Sequence, residues 1–397
     1  MKAFLILEDG TVFTGMHIGA EREIISEIVF NTSMAGYLEV LTDPSYAGQA
    51  VCMTYPLIGN YGVCSEDMES KKPWPDGFIV RELSRMASNF RKDIGIQEFL
   101  RHYEIPGIAG IDTRALTKIL REKGTMNGMI TTNGSYDLSS ILPKLKSYTT
   151  GKVVEKVTCS QKYEIEGAKS LSENGPLSGR AKFSEEDYAK GIREMRPSIT
   201  RKLNGLGKRV ALLDLGAKDN IARSLAQRGC HVKVYPALTP AEEILSDKPD
   251  GIMLSNGPGD PKECTGIIKE IKKLYDSEVP IFAICLGHQL MALATGADTF
   301  KMKYGHRGGN HPVKDLETGR VYISSQNHGY VVDMDRLNPE VAVPAFLNVN
   351  DGTNEGLSYT GKNIFTVQFH PEACPGPQDS GFLFDRFIEM MEVGKNA

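Results

Sequence analysis

From Lys208 to Ile284, the short apolar runs RVALLDL, HVKVYP, GIMLSN and PIFAI alternate with stretches whose apolar residues recur at helical spacing. The runs have strand length. The stretches between them predict helices over Asp219–Arg228, after Thr239-Pro240 and around Ile267–Tyr275. Regular alternation of this kind predicts an α/β fold with a parallel sheet covered by helices on both faces. Ligands bind such sheets beyond the carboxyl ends of the strands, so the loop Asn256–Asp260 and Cys285 should be neighbours. A last helix over Ser380–Val393 carries Phe384, Phe387, Ile388 and Met391 at core-packing spacing.

The N-terminal pattern is different. AFLILEDGTVFTGMHIG is two apolar runs around Asp9-Gly10, a hairpin signal, and strands and turns continue to about Gly62, with Asp43-Pro44-Ser45-Tyr46 as one turn. Asp112 can cap a helix to Lys123, with Leu116, Ile119 and Leu120 on one face and Gly124 as its stop. From about Gly151 to Gly207 the periodicity fades, with a short helix expected near Glu185–Met195. The basic residues Arg193, Arg196, Arg201, Lys202, Lys208 and Arg209 read as a solvated stretch or a partner contact rather than an anion site. So long a loop inside one compact domain is unusual. The expected division is therefore a smaller mixed α/β domain over 1–150, a connection over 151–207 and the parallel-sheet domain over 208–397.

Cys285 sits where the apolar run Pro280–Ile284 meets the helical pattern of Leu290, Met291, Leu293 and Ala294. A strand turning sharply into a helix lifts the joining side chain clear of the sheet, a nucleophile elbow written with Cys, and Gly287 leaves room for the turn. The positive end of the helix favours negative charge there. A cysteine ending an apolar strand is more often core filling. What changes that balance is IFTVQFHPE, which reads as a strand carrying His370 and Glu372, two residues apart and hence on one side. A carboxylate holding an imidazole that faces a thiol is the arrangement of a hydrolytic triad. Leu286, after the nucleophile, would supply one oxyanion N–H, and the loop Gly257–Gly259, otherwise a tight turn, could bring another close because those positions lack side chains.

Composition narrows the classes. With 46 basic against 50 acidic residues, a net charge of −4 and no basic cluster, nothing suggests nucleic acid or an anionic membrane. Seven scattered cysteines without CxxC spacing argue against a disulfide framework or a zinc site, and a reducing cytoplasm is expected. His288, His306, His311 and His328 lack paired short-range spacing on one element, so no metal is expected. Neither G-x-G-x-x-G after the first strand nor a Walker-type motif occurs, so ATP chemistry must lie elsewhere. Cys374 lacks an elbow and is read as incidental.

On LSNGPGDP, AICLGHQL and QFHPEA the chain is identified as a member of the class I (triad) glutamine amidotransferases, whose parallel sheet is flavodoxin-like. On KMKYGHRGGNHPV, SQNHGYVV, HPEACPGPQDS and the N-terminal FNTSMAGYLEVLTDPSYAGQ it resembles, over its full length, the small-subunit family of carbamoyl-phosphate synthetases. The resemblance implies hydrolysis of L-glutamine to glutamate and ammonia by Cys285, His370 and Glu372 through a γ-glutamyl thioester. It implies delivery of ammonia to a large ATP-using subunit that makes carbamoyl phosphate from bicarbonate, for arginine and/or pyrimidine synthesis. ATP and Mg²⁺ would be used by that partner, with no cofactor in this chain. The glutamine contacts it implies are Ser45, reaching across from the N-terminal domain, Gln289, Asn327, Gly329 and the backbone of Tyr330, beside Gly257, Gly259 and Leu286. Two other readings stand beside it: a glutaminase serving another synthetase, opposed by the N-terminal domain, and a catalytically silent regulatory subunit, opposed by the intact triad.

Overall fold

The computed structural model describes residues 1–168, 203–373 and 375–393. The helix expected near Glu185–Met195, the basic residues Arg193 to Lys202 and Cys374 lie outside these described residues. The N-terminal domain is a closed seven-stranded barrel. Its strands run in the order Lys2–Leu7, Val12–Gly19, Pro106–Ala109, Gly77–Val80, Gln49–Met53, Ile24–Asn31 and Met126–Thr131. The first two are the expected hairpin, closed by Leu7 N–H on Thr11 O at 2.9 Å with Gly10 at φ 87°. The strands Ile24–Asn31, Gln49–Met53, Gly77–Val80 and Pro106–Ala109 pair in parallel. Parallel neighbours need crossovers, and the helices Tyr37–Thr42 and Ile96–His102 lie on two of them. The helix Thr113–Lys123 begins where Asp112 accepts the Ala115 N–H at 3.0 Å and stops at Gly124, φ 102°.

A ten-stranded sheet forms the second domain. Its five central strands, His231–Pro236, Arg209–Asp214, Gly251–Leu254, Ile281–Ile284 and Ile364–Val367, are parallel, as the alternating pattern predicts. Ile252, Leu254 and Ala283 bury against helices on one face, while Phe282 and Phe365, stacked at 4.4 Å, bury on the other with Phe384 and Phe387 of the helix Phe382–Val393. The sheet also extends antiparallel through Asn354–Tyr359, Ala342–Asn348 and the long hairpin Asp298–Asp315/Val321–Asp333, which the strand-helix alternation does not announce, and at its other edge through Tyr163–Ile165, so part of the stretch expected as a connection belongs to this sheet. One expectation is corrected. The strand Ile364–Val367 ends before His370, which forms an isolated bridge with Ser325 and is followed by a turn at Pro371-Glu372. Proline has no N–H to continue a ladder, so the backbone leaves the sheet there.

Candidate active site

Cys285 lies between the strand Ile281–Ile284 and the helix Leu286–Ala294, at φ 53° and ψ −103°. A non-glycine residue held there stores about 1–3 kcal/mol of strain. The surroundings enforce it: Cys285 N–H is bonded to Val367 O at 2.8 Å and Gly287 N–H to Ser255 O at 3.0 Å. A Cβ on Gly287 would come within 2.7 Å of Leu254 O, so only glycine lets the helix sit this close to the sheet. The thiol is 2% exposed and lies 3.6 Å from Asn327 O.

His370 is set by its N–H on Ser325 O at 2.9 Å, and its Nδ1 faces Glu372 Oε1 at 2.6 Å. A turn, not a strand, brings the two together. Burial would lower the imidazole's pKa, but the charges of Glu372 and Cys285 raise it to about 10. Among the described residues Nε2 is buried without a well-formed hydrogen bond, and the Cys285 side chain is one group whose interaction with the ring helps raise its pKa. Burial would conversely raise Glu372, yet Lys218 and His370 hold its carboxyl down at about 2. Lys218 Nζ is 3.1 Å from Glu372 Oε1, with the lysine side chain 2% exposed, and it also donates to Ala373 O. Sequence reasoning missed Lys218, since a lone lysine in a strand-to-helix loop carries no motif.

Most of the expected glutamine contacts share a cavity of ≈ 290 Å³ between the two domains with Cys285. Ser45, Gly257, Gly259, Gln289, Asn327, Gly329 and Tyr330 all line it, whereas the side chain of Leu286 is buried in the core behind. Leu286 opens its helix, so its N–H is a first-turn donor that the helix itself cannot satisfy. A Cβ on Gly257 would lie 2.2 Å from Leu215 O and 2.8 Å from Leu286 Cδ2, which places the glycine loop directly against the elbow. Gln289 Nε2 donates to Tyr330 O at 2.8 Å and to Gln368 Oε1 at 3.0 Å. Tyr330 O is thus already engaged.

The N-terminal domain enters the site through Asp43, which the sequence reading passes over as part of a turn. Asp43 Oδ1 accepts the Ser45 N–H at 2.9 Å, fixing the turn, and Oδ2 accepts Asn327 Nδ2 at 2.9 Å across the domain boundary. Asn256 Nδ2 reaches Ser45 Oγ at 2.9 Å from the other side. The D-P-S capping pattern was the available signal.

The histidine spacing also misleads. The hairpin register sets His306 opposite His328, and the His306 ring lies 5.0 Å from His328 and 5.1 Å from His311, with Glu355 beside them. Cross-strand pairing gathers what linear spacing separates. Hydrogen bonds knit the group together: His306 to Asp351 at 2.9 Å, and Gln326 and Asn348 to Glu355, each at 2.9 Å. His288 is elsewhere, bonded to Thr366 Oγ1 at 2.7 Å.

Among the described residues, no helix is long and apolar enough to cross a membrane. Residues 211–390 match the family model for class-I glutamine amidotransferases, and residues 5–130 match that for the CPSase domain of the carbamoyl-phosphate synthase small chain. The chain is 47% identical to the carbamoyl phosphate synthase small chain of Clostridium perfringens over 98% of its length and 99% of that protein. It is 46% identical to the protein of that name from Listeria monocytogenes, over 98% of this chain and 97% of the other. The Yersinia pseudotuberculosis small chain is also 46% identical, over 99% of this chain and 95% of its own length. A strained cysteine at an elbow, a buried His-Glu pair and matches spanning both domains lead to one assignment: the chain belongs to the carbamoyl-phosphate synthase small-chain family, whose C-terminal domain is a glutamine-hydrolysing class-I amidotransferase.

Proposed function

We propose that this chain hydrolyses glutamine through Cys285, His370 and Glu372 and passes the ammonia to a large ATP-using subunit that makes carbamoyl phosphate. The observation that carries the reading is the buried, strained Cys285 sharing one cavity with the glycine loop while the charged His370–Glu372 pair lies behind it. The Cys285 sulfur, its proton passed to His370, attacks the side-chain carbonyl of glutamine, and the oxyanion forms beside the Leu286 N–H and the loop at Gly257–Gly259. His370, protonated at neutral pH, gives its proton to the departing nitrogen, so that NH3 leaves and a γ-glutamyl thioester remains. Once the sulfur is acylated, the Cys285 charge no longer raises the imidazole. Left neutral by the transfer to nitrogen, the ring takes a proton from the water that attacks the thioester, and collapse releases glutamate and returns the sulfur and the protonated imidazole to their starting state.

Glu372 keeps the imidazole oriented and compensates its charge, and Lys218 keeps Glu372 ionised. Ser45, Gln289 and Asn327 would hold the substrate, with ATP and Mg²⁺ used on the partner subunit. The test is the reconstituted complex carrying Cys285→Ala. Glutamine-dependent carbamoyl phosphate synthesis should disappear while synthesis from added ammonia persists. Loss of both in a correctly assembled complex would contradict the reading.

A further inference from the structure

Arg307 pairs with Asn327 in the hairpin register and lines the same cavity as Cys285, although it is only 4% exposed. Among the described residues its guanidinium makes one hydrogen bond, from Nη1 to Tyr304 O at 2.7 Å, and Nε is buried without a partner. Glycines make room for the group. A Cβ on Gly329 would come within 3.2 Å of Nη2, and one on Gly305 within 2.7 Å of Nη1.

The nearby acidic groups are already committed. Glu27 accepts from Lys301 Nζ at 2.6 Å, Gln49 Nε2 at 2.8 Å and Thr125 Oγ1 at 3.0 Å, and the Tyr46 hydroxyl accepts from Asn31 at 2.8 Å. Among the described residues lining the cavity, Lys301 is therefore paired and Arg307 is the cation left without an anion. Burial lowers its pKa, and the Glu27 carboxylate, which makes no hydrogen bond to it, is the foremost group opposing this. A buried guanidinium with unpaired N–H groups is costly unless an anion completes it.

We propose that Arg307 binds the α-carboxylate of glutamine and of the product glutamate, and so sets the preference for an amide that carries this group. The proposal rests on Cys285 acting on glutamine. With the γ-amide at Cys285, the backbone end of the substrate must extend along the cavity wall formed by Asn327 and Gly329, and Nη2 stands against Gly329. A planar guanidinium matches a carboxylate with two parallel N–H···O bonds, which a lysine cannot reproduce. The other side chains expected to hold glutamine, Ser45, Gln289 and Asn327, are neutral.

The test compares glutamine with 4-aminobutanamide, which is glutamine without the α-carboxylate, measuring ammonia release by the full chain and by Arg307→Met and Arg307→Lys. Arg307→Met should lower kcat/KM for glutamine on the order of 100-fold, mainly through KM, which is the worth of a lost charge-assisted pair. The preference for glutamine over 4-aminobutanamide should collapse by a similar factor, with Arg307→Lys recovering part of it. If Arg307→Met does not fold, Arg307→Lys carries the test, with a smaller loss of preference. A purely structural role would lower both substrates together and leave their ratio where it was, which would overturn the proposal. Wild-type turnover that survives Cys285→Ala would instead overturn the nucleophile assignment, so the two failures are distinguishable.

Discussion

Replacing Lys218 by Met removes the cation 3.1 Å from Glu372 Oε1, in a pair whose side chains are 2% and 0% exposed. Glu372 would keep His370 as its partner in a site where unpaired charge is expensive. Removing one member of a buried pair costs about 3–5 kcal/mol. The structure gives the same order: burial raises the Glu372 carboxyl, yet Lys218 and His370 bring it from 4.5 to about 2. At about 1.4 kcal/mol per unit this is about 3 kcal/mol, shared between the two cations. Because the folded-state value lies below the unfolded one, this stabilisation is complete above 4.5 and is lost as pH falls through about 2. Lys218→Met should therefore lose only the Lys218 share of that linkage, about 2 kcal/mol at neutral pH, with the gap to wild type closing in acid. Urea unfolding followed by circular dichroism measures it. In a Glu372→Gln background the same substitution meets no buried carboxylate and should cost about 1 kcal/mol, a coupling outside additivity. Equal costs in the two backgrounds would refute the charge argument and leave Lys218 as packing alone.

Gly257→Ala, whose Cβ would press on Leu215 O and Leu286, should displace the loop proposed to hold the oxyanion and lower kcat for glutamine hydrolysis by roughly 10²–10³ with little change in KM. Steady-state kinetics showing a change in KM alone would count against that role. Glu372→Gln should harm turnover less than His370→Asn. Because Glu372 raises His370, whose acid form persists up to about 10, the alkaline limb of the Glu372→Gln pH–rate profile should move to lower pH. The glycine loop and the Asp43 contact lie where the domains meet, so glutamine hydrolysis should be slow in the isolated chain and rise with the synthetase subunit, then again with bicarbonate and ATP. Identical rates in all three conditions would describe an independent glutaminase.

The elbow was legible because an apolar strand, a cysteine and a helical pattern are contiguous, and tight strand-to-helix packing demands Gly287. The parallel core was legible for the same local reason. The antiparallel extension was not, since the hairpin from Asp298 to Asp333 is polar, glycine-rich and bulged, with register shifts at Lys301/His306 and Gly308/His311 that erase a two-residue period. His370 and Glu372 were found through the wrong geometry, a strand where Pro371 makes a turn. Lys218 and Asp43 act through partners far off in sequence: Ala373, beside Glu372, is 155 positions from Lys218, and Asn327 is 284 positions from Asp43. Such contacts exist only once the chain has folded, and no local pattern encodes them.

On the proposed route glutamine is held covalently on the sulfur of Cys285. Acid quenching during turnover, followed by proteolysis and mass spectrometry, should find a γ-glutamyl adduct on the peptide containing Cys285. The adduct should accumulate when hydrolysis is slowed by Glu372→Gln and be absent in Cys285→Ala. Undiminished glutamine hydrolysis by Cys285→Ala, or an adduct on any other residue, would contradict covalent catalysis at Cys285.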